Sequence, residues 1–267
     1  MRMSKEIVTL GDLLLDVIVR LEQPLAEGAD ANAVTRLGPG GQAANVAAWV
    51  AELGGRARFV GKRASDEAGE TATRALERYG VEVRGPVVEG RTGTVVSLVD
   101  ADGARTMASD RGVSPGLRAD ELDHDWLVDV WLHLPGYSLL RSPIDEAALL
   151  AAELAESVSV DLSSWSAIRD FGPERFRARL EALEPDVVFA NEDEDRIIGG
   201  PIPGSLWIVK RGGRGARFGD EELPARRGAV VDTTGAGDAF AAGWLVSGAD
   251  LALEAAARCV AQLGSMP

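Results

Sequence analysis

The segment Asp232-Thr233-Thr234-Gly235-Ala236-Gly237-Asp238 decides how the chain is interpreted. Its small residues allow the backbone to turn sharply, and the apolar run 239–246 follows at once. This pattern predicts a loop that enters the amino terminus of a helix, where unpaired N–H groups and the helix dipole favour an anion. The sequence therefore predicts an anion site that suits the negative charge of a phosphoryl group during transfer.

Asp238 lies at the start of this predicted helix, where two roles compete. Its carboxylate can cap the helix by accepting a hydrogen bond from a backbone N–H group. It can also accept a proton from a substrate hydroxyl while the backbone of Gly235, Ala236 and Gly237 holds phosphoryl oxygens. The segment alone leaves both roles open.

Short apolar runs alternate with helical patterns along most of the chain. The run 6–11 predicts a buried first strand, and a helix is predicted from Asn45 to about Leu53. Further strands are predicted at 57–60, 130–134, 158–161, 187–190 and 206–210, and further helices at 67–79, 143–157, 173–183 and 251–260. Strands that alternate with helices predict an α/β fold with a mostly parallel central sheet and helices on both faces.

One part of the chain breaks this alternation. The strand-like runs 94–99 and 105–108 flank Asp102-Gly103, a strong hairpin signal. With strands drawn from about 17–37, the region 94–108 predicts a small β sheet that serves as a lid over a cleft. An ordinary hairpin at the edge of the main sheet is the alternative. No repeat or linker divides the chain, so we expect residues 1–267 to form a single domain.

Composition limits the chemistry that the chain can perform. The only cysteine is Cys259 and the only histidines are His124 and His133, so neither a zinc cluster nor a disulfide framework can form within one chain. With 46% hydrophobic residues among 267, the chain can bury a substantial core without such cross-links. Its chemistry must rely on carboxylate, amide, hydroxyl and backbone groups.

Charge and hydropathy argue against two classes of partner. The formal net charge of −14 disfavours nucleic acid, because proteins that bind nucleic acid neutralise its phosphates with basic groups. No stretch approaches the ~20 apolar residues that span a bilayer, and the amino terminus lacks the apolar run of a signal peptide. We therefore expect a cytoplasmic protein whose partners include neither nucleic acid nor a membrane.

Two segments resemble the two signatures of the ribokinase family of carbohydrate kinases, also called the PfkB family. The first is Gly40-Gly41-Gln42-Ala43-Ala44-Asn45, and the second is 232–238. The resemblance runs from Ile7 to about Gly264. It implies a ribokinase-like α/β core with a small β lid, MgATP as phosphoryl donor, and a sugar, nucleoside or related hydroxyl compound as acceptor.

The resemblance also implies roles for single residues. Asp238 matches the family's catalytic base, and its backbone anion hole corresponds to Gly235, Ala236 and Gly237. The positions that bind acceptor hydroxyls correspond to Asp16, Gly40, Gly41 and Asn45. Asp12 is a further candidate for acceptor binding, although it can equally cap the turn after the first strand.

The implied nucleotide-binding site depends on two further segments of the sequence. Asn191 and Glu194 resemble the family's Asn-x-x-Glu element, which positions Mg²⁺ and the ATP phosphates largely through water; a solvated helix start is the alternative. The turn 211–215 resembles the glycine-containing turn beside the nucleotide, so that Lys210, Gly212 and Gly215 become candidates for nucleotide binding; a simple hairpin to 216–218 is the other interpretation. Asp232 and Thr234 match positions that help bind a monovalent cation, such as K⁺, in several relatives.

The favoured function is transfer of the γ-phosphoryl group from ATP to a hydroxyl of a sugar or sugar-like acceptor. A nucleoside or vitamin-precursor kinase of the same fold is one alternative, and a non-catalytic sugar- or nucleotide-binding protein is another. The candidate lid is polar and lacks aromatic residues, which favours a sugar; its polar residues are Asp100, Asp102, Arg105 and Ser109. A dinucleotide-dependent oxidoreductase is disfavoured because no Gly-x-Gly-x-x-Gly turn follows the first strand.

An uncovered lid sheet would also favour pairing with a second copy of the chain. Exposed strand edges and apolar faces invite association across a two-fold axis. We therefore expect a homodimer that forms through the lid.

Overall fold

A computed structural model describes residues 5–100 and 105–267. The strands are β1 (Ile7–Leu10), β2 (Leu14–Leu21), β3 (Ala33–Gly40), β4 (Ala57–Val60), β5 (Arg63–Ala64), β6 (Glu82–Arg84), β7 (Val87–Val88), β8 (Thr92–Val99), β9 (Arg105–Gly112), β10 (Trp131–Pro135), β11 (Ser157–Asp161), β12 (Val187–Asn191), β13 (Leu206–Lys210), β14 (Ala216–Phe218) and β15 (Glu221–Leu223). The α-helices are α1 (Gln42–Glu52), α2 (Glu67–Arg78), α3 (Ile144–Leu154), α4 (Trp165–Phe171), α5 (Pro173–Leu183), α6 (Glu192–Ile198), α7 (Ala236–Ser247) and α8 (Ala249–Val260).

The central sheet has nine strands within the described ranges, in the order β15-β14-β13-β12-β11-β10-β1-β4-β6. All neighbouring pairs from β13 to β6 are parallel, and the two pairs at one edge, β13–β14 and β14–β15, are antiparallel. This arrangement confirms the predicted mostly parallel α/β sheet.

Helices cover both faces of this sheet, which explains why its strands are nearly continuous apolar runs. On one face, Phe176 and Leu180 of α5 pack with Leu132 of β10 in a fully buried cluster. On the other face, Trp49 of α1 packs in a cluster with Ala242 of α7. The carboxyl ends of the parallel strands are left at one edge of the sandwich, where α/β proteins bind their ligands.

A second sheet forms the small β lid, in the order β3-β2-β8-β9. Strand β9 continues to Gly112, four residues beyond the predicted end, because pairing with β8 extends to the register Thr92 opposite Gly112. The polar sequence at 109–111 gives no strand signal of its own. Asp102-Gly103, the predicted hairpin turn, lies outside the described residues.

Other boundaries differ by small amounts. The helix predicted over 143–157 ends at Leu154, because Ala155 adopts an extended backbone and β11 begins at Ser157. Helices α4 and α6 are short elements of seven residues each. Within the described ranges, every helix is too short or too polar to cross a bilayer.

Candidate active site

One cavity of about 600 Å³ lies at the carboxyl ends of the parallel strands. Asp161 ends β11, Asn191 ends β12 and Lys210 ends β13, and all three residues line the cavity. The lid contributes Met107 and Ser109 to the same lining. The volume lies within the range of pockets that hold small-molecule ligands.

The segment 232–238 forms the predicted loop at the amino terminus of α7. Gly235 occupies the N-cap position with φ 76°, and helix α7 begins at Ala236. A Cβ atom on residue 235 would lie 2.6 Å from Cα of Ser265, so only glycine fits there. Gly235, Ala236 and Gly237 line the cavity, and the positive end of the α7 dipole therefore faces it. We call residues 235–237 the anion loop.

Asp232 fixes the shape of this loop from behind. Its Oδ1 accepts hydrogen bonds from the N–H and the hydroxyl of Thr234 at 2.9 and 2.7 Å. Its Oδ2 accepts one from the N–H of Gly264 at 3.0 Å. Both Asp232 and Thr234 are buried. These hydrogen bonds tie the anion loop to the segment around Gly264 and account for the buried carboxylate.

Asp238 does not cap α7, since the N-cap residue is Gly235. Its Oδ2 instead accepts a hydrogen bond from Nδ2 of Asn45 at 2.7 Å, and its side chain borders the cavity. Burial raises the pKa of Asp238 to about 7, although the hydrogen bond from Asn45 opposes this shift. A carboxylate beside the anion loop with a pKa near neutrality is suited to accept a proton from a substrate.

Ser265, which no sequence motif singles out, joins Asp16 and Asn45. The hydroxyl of Ser265 lies 3.1 Å from Oδ1 of Asn45 and 3.3 Å from Oδ2 of Asp16. Burial raises the pKa of Asp16 to about 6, and the hydrogen bond from Ser265 opposes it. The four residues Asp16, Ser265, Asn45 and Asp238 therefore form one hydrogen-bonded chain, in which the single hydroxyl proton of Ser265 is donated to either Asp16 or Asn45 at a time. No local pattern announces Ser265, which lies 220 positions after Asn45.

The glycine pair of the first signature makes room for this chain. A Cβ atom on Gly40 would overlap the carboxyl group of Asp16, and Gly41 has φ 98° and lies against the backbone of Asp12. Gly41 lines the cavity, whereas Gly40 is buried beneath Asp16. The two glycines thus allow Asp16 and helix α1 to approach closely.

Lys210 lies directly against the anion loop. Its ammonium donates a hydrogen bond to Oδ2 of Asp161 at 2.5 Å, and a Cβ atom on Gly237 would lie 3.2 Å from Nζ. Burial works to lower the pKa of Lys210, but Asp161 and Glu194 raise it above its ordinary value. Lys210 is therefore a fixed positive charge beneath the loop.

Asn191 and Glu194 form a capping box at the start of α6. Oδ1 of Asn191 accepts hydrogen bonds from the N–H groups of Asp193 and Glu194 at 3.0 and 2.9 Å, and Oε2 of Glu194 accepts one from the N–H of Asn191 at 2.8 Å. Both residues also line the cavity. Burial raises the pKa of Glu194 to about 7, against the effect of Lys210.

The Asn191–Glu194 pair suits a Mg²⁺ ion that keeps most of its waters better than a metal ion bound by protein ligands alone. Among residues 5–100 and 105–267, no group of three or more His, Cys, Asp or Glu side chains is placed to hold a metal. Magnesium usually keeps several waters and takes one or two carboxylates together with substrate phosphates. A single buried carboxylate at Glu194, bordering the cavity, meets that requirement.

The other end of the cavity is lined by Gly212, Gly213 and Gly215 and by residues of α8 such as Ala256 and Val260. Gly215 has φ 93°, and a Cβ atom there would overlap the carbonyl of Leu223. The turn is thus both a hairpin between β13 and β14 and a wall of the cavity.

Asp12 lies behind the cavity lining rather than in it. Its carboxylate forms an ion pair with Arg111 of the lid strand β9. Burial raises the pKa of Asp12, and Arg111 opposes the shift. Arg111 itself lines the cavity, and its guanidinium carbon lies 3.7 Å from the ring centroid of Tyr137. The sequence pattern does not single out Arg111, because the strand signal of β9 ends at residue 108.

Comparisons with known proteins identify the family of this chain. The sequence pattern of the family described as pfkB family carbohydrate kinase matches residues 4–266. An ATP-dependent ribose-1-phosphate kinase from Halopiger xanaduensis is 34% identical over a 277-residue alignment, which covers 95% of this chain and 90% of the relative. Fructokinase-1 from Zea mays is 32% identical over 264 residues, covering 88% and 80% of the two chains.

Solved structures show the same architecture. Adenosine kinase from Sinorhizobium meliloti superposes with a TM-score of 0.87 at 25% identity, over 99% of this chain and 96% of the other. The ribokinase from Thermotoga maritima superposes with a TM-score of 0.77 at 22% identity, over 98% and 96%. The family match over nearly the whole chain, together with the ribokinase-like fold, shows that this chain belongs to the pfkB family of carbohydrate kinases.

Proposed function

We propose that this protein is an ATP-dependent kinase that transfers the γ-phosphoryl group to a hydroxyl of a sugar or sugar-like molecule. The observation that carries the proposal is the placement of Asp238 beside the anion loop, in a cavity large enough for a small acceptor. Family membership supplies the reaction class, which is phosphoryl transfer to an alcohol.

The acceptor hydroxyl would meet Asp238 as the base. Near neutral pH a large fraction of Asp238 is ionised, since its pKa is about 7, and it can take the hydroxyl proton as the new bond to phosphorus forms. Asp16 and Asn45, which border the same cavity, would bind other hydroxyls of the acceptor. A carboxylate and an amide together supply both the acceptors and the donors that a polyol requires.

The phosphoryl group would lie on the anion loop. During transfer, negative charge spreads over its equatorial oxygens, and backbone N–H groups at the start of α7 can stabilise that charge. Lys210 adds a full positive charge beneath Gly237, held in place by Asp161. The rest of ATP would extend toward Gly212 and Gly215 and the α8 wall.

Magnesium bound with ATP would neutralise phosphate charge and orient the phosphates. Asn191 and Glu194 would hold the ion, largely through water.

A monovalent cation at Asp232 and Thr234 stays a prediction, and a comparison of activity in K⁺ and in a large organic cation tests it. The homodimer through the lid and the cytoplasmic location also stay predictions. Exposed Val34 and Leu37 on β3 support the dimer, which sedimentation would detect.

The test is a panel of sugars, sugar phosphates, sugar acids and nucleosides with MgATP, in which ADP formation is measured. We expect turnover with at least one sugar-type acceptor and its loss in Asp238→Asn. If no acceptor is turned over while one of them clearly raises the melting temperature, a non-catalytic binding protein is favoured instead.

A nucleoside kinase is the second candidate, favoured by the similarity to the adenosine kinase structure. The nucleobase of a nucleoside acceptor would need an apolar or aromatic surface beside Asp16 and Asn45. Tyr137 lies at this end of the cavity, but the Arg111 guanidinium is stacked on its ring. Turnover of nucleosides in preference to sugars in the same panel would support this candidate.

A further inference from the structure

The lid strand β9 presents three side chains to the cavity. Met107, Ser109 and Arg111 alternate along the strand, so they lie on the same face of the lid sheet. All three line the cavity. Of these, Arg111 is the charged residue, and it is the last before β9 ends at Gly112.

Two contacts fix the orientation of the Arg111 guanidinium. Asp12 of the α/β body forms an ion pair with Nη1, and the ring of Tyr137 lies 3.7 Å from the guanidinium carbon. A guanidinium has five N–H donors arranged around a planar fork, so a single carboxylate does not use them all. The Arg111 side chain is 24% exposed and still borders the cavity.

Other positive charges of the described lining lie elsewhere in the cavity. Lys210 lies beneath the anion loop, and Arg226 follows the β15 hairpin on the side of the glycine turn. Asp16 and Asn45 already supply the groups that bind neutral hydroxyls. A buried ion pair costs desolvation free energy, and a neutral acceptor would gain less from a guanidinium in this place than an anionic acceptor would.

We propose that the acceptor carries an anionic group, a phosphate or a carboxylate, which Arg111 binds from the lid. This inference rests on the proposed kinase function and narrows its substrate class. Arg111 is then a specificity-determining residue, and Asp12 is a positioning residue that acts through it. Bidentate pairing with an oxyanion is the interaction for which a pre-oriented arginine is best suited.

The experiment compares three matched acceptors with the full-length protein: a neutral sugar, its monophosphate and its sugar acid. Steady-state kinetics are measured for wild type, Arg111→Met, Arg111→Lys, Asp12→Asn and the control Arg91→Met. Arg91 forms an exposed ion pair with Asp110 in the same lid region and does not line the cavity. Circular dichroism and the melting temperature verify that each variant folds.

We expect wild type to prefer one of the two anionic acceptors. Arg111→Met should lower kcat/KM for that acceptor by about 10- to 100-fold, mainly through KM, because a hydrogen-bonded charge pair is lost. The neutral sugar should change by less than about threefold, and Arg111→Lys should recover part of the loss. Asp12→Asn should weaken the same anionic acceptor and spare the neutral one, which a purely structural role would not do.

Other results overturn the inference. If wild type prefers the neutral sugar, or if Arg111→Met lowers turnover of all acceptors equally, then the Asp12–Arg111 pair only holds the lid against the body. If wild type turns over none of them, the kinase proposal is judged separately by the wider acceptor panel, and calorimetric binding of the three acceptors decides about Arg111. Tighter binding of an anionic acceptor that Arg111→Met abolishes supports the inference, and equal binding of all three overturns it.

Discussion

At the scale of single residues, the ionisation of Asp238 should control the rate of phosphoryl transfer. Its pKa of about 7 means that a proton must leave this carboxyl before it can serve as base. We expect kcat/KM to fall about tenfold per pH unit below pH ~7 and to level off above it. A profile that stays flat from about pH 5.5 to 8 would show that another group controls the proton.

The substitution Asp238→Asn removes proton acceptance while it keeps nearly the same volume and an oxygen for Asn45. We expect turnover to drop by about 10²- to 10⁴-fold while binding of the acceptor, measured by calorimetry, changes little. The exposed residue Asp220 provides the control Asp220→Asn, which should behave as wild type. Near wild-type turnover in Asp238→Asn would end its assignment as base.

The role of the Lys210 charge can also be tested by substitution. Replacement by methionine removes the charge beneath Gly237, so we expect kcat to fall by about 10²- to 10³-fold with little change in the KM for the acceptor. Lys62 is a matched control, because its side chain is 12% exposed against 16% for Lys210 and is also paired, with Glu121. Equal effects of Lys62→Met and Lys210→Met would indicate a general loss of stability.

At the scale of elements, the start of α7 depends on Gly235. Gly235→Ala places a Cβ atom at φ 76° and 2.6 Å from Cα of Ser265. Gly199 provides the control, because it has φ 80° in the same left-handed region, with open space around its Cβ position. The positive φ costs both variants about 1–2 kcal/mol of unfolding free energy. We expect a larger cost in Gly235→Ala, together with loss of activity, and equal costs would disprove the steric argument.

Local sequence predicts the elements that are buried on both faces. The run at β1 is recognisable because burial on both faces requires apolar residues throughout, and α5 is recognisable because its buried residues recur with the helical period. Strand β9 beyond residue 108 is not, since Ser109 and Arg111 become strand residues only by pairing with β8. Propensity is weak where cross-strand pairing decides the conformation.

In the candidate site, too, features encoded by local sequence can be predicted and long-range contacts cannot. Asp238 and the Asn191–Glu194 pair belong to short segments whose spacing carries a meaning, and the capping box can be recognised from the sequence. Ser265 and the Asp12–Arg111 pair join positions separated by more than 90 residues, and only the folded chain reveals them.

At the scale of the whole molecule, the site makes stability depend on pH. Glu194 and Asp238 have pKa values of about 7 in the folded chain, well above their ordinary values of 4.5 and 3.8. Between these limits the folded state binds more protons than the unfolded state, so stability decreases as pH rises. His133, whose pKa falls to about 4 through burial, has the opposite effect, but only below its ordinary value of 6.5.

We therefore expect the free energy of unfolding to decrease by on the order of 1–3 kcal/mol between about pH 6 and pH 8. Asp238→Asn should be more stable than wild type at pH 8, and its pH dependence should be weaker, because the buried charge is gone. Urea unfolding at several pH values measures both effects. A wild-type stability that increases over this range would contradict the raised pKa values.

The hydrogen-bonded chain through Ser265 has a consequence for biosynthesis. A ribosome makes Asp16 and Asn45 early, Asp238 late and Ser265 later still. Until residues 264 and 265 emerge, Asp232 lacks its partner at Gly264, and Asp16 lacks the hydroxyl that joins it to Asn45. The acceptor site can therefore be completed only once Ser265 has been synthesised, after all the described strands of the central sheet.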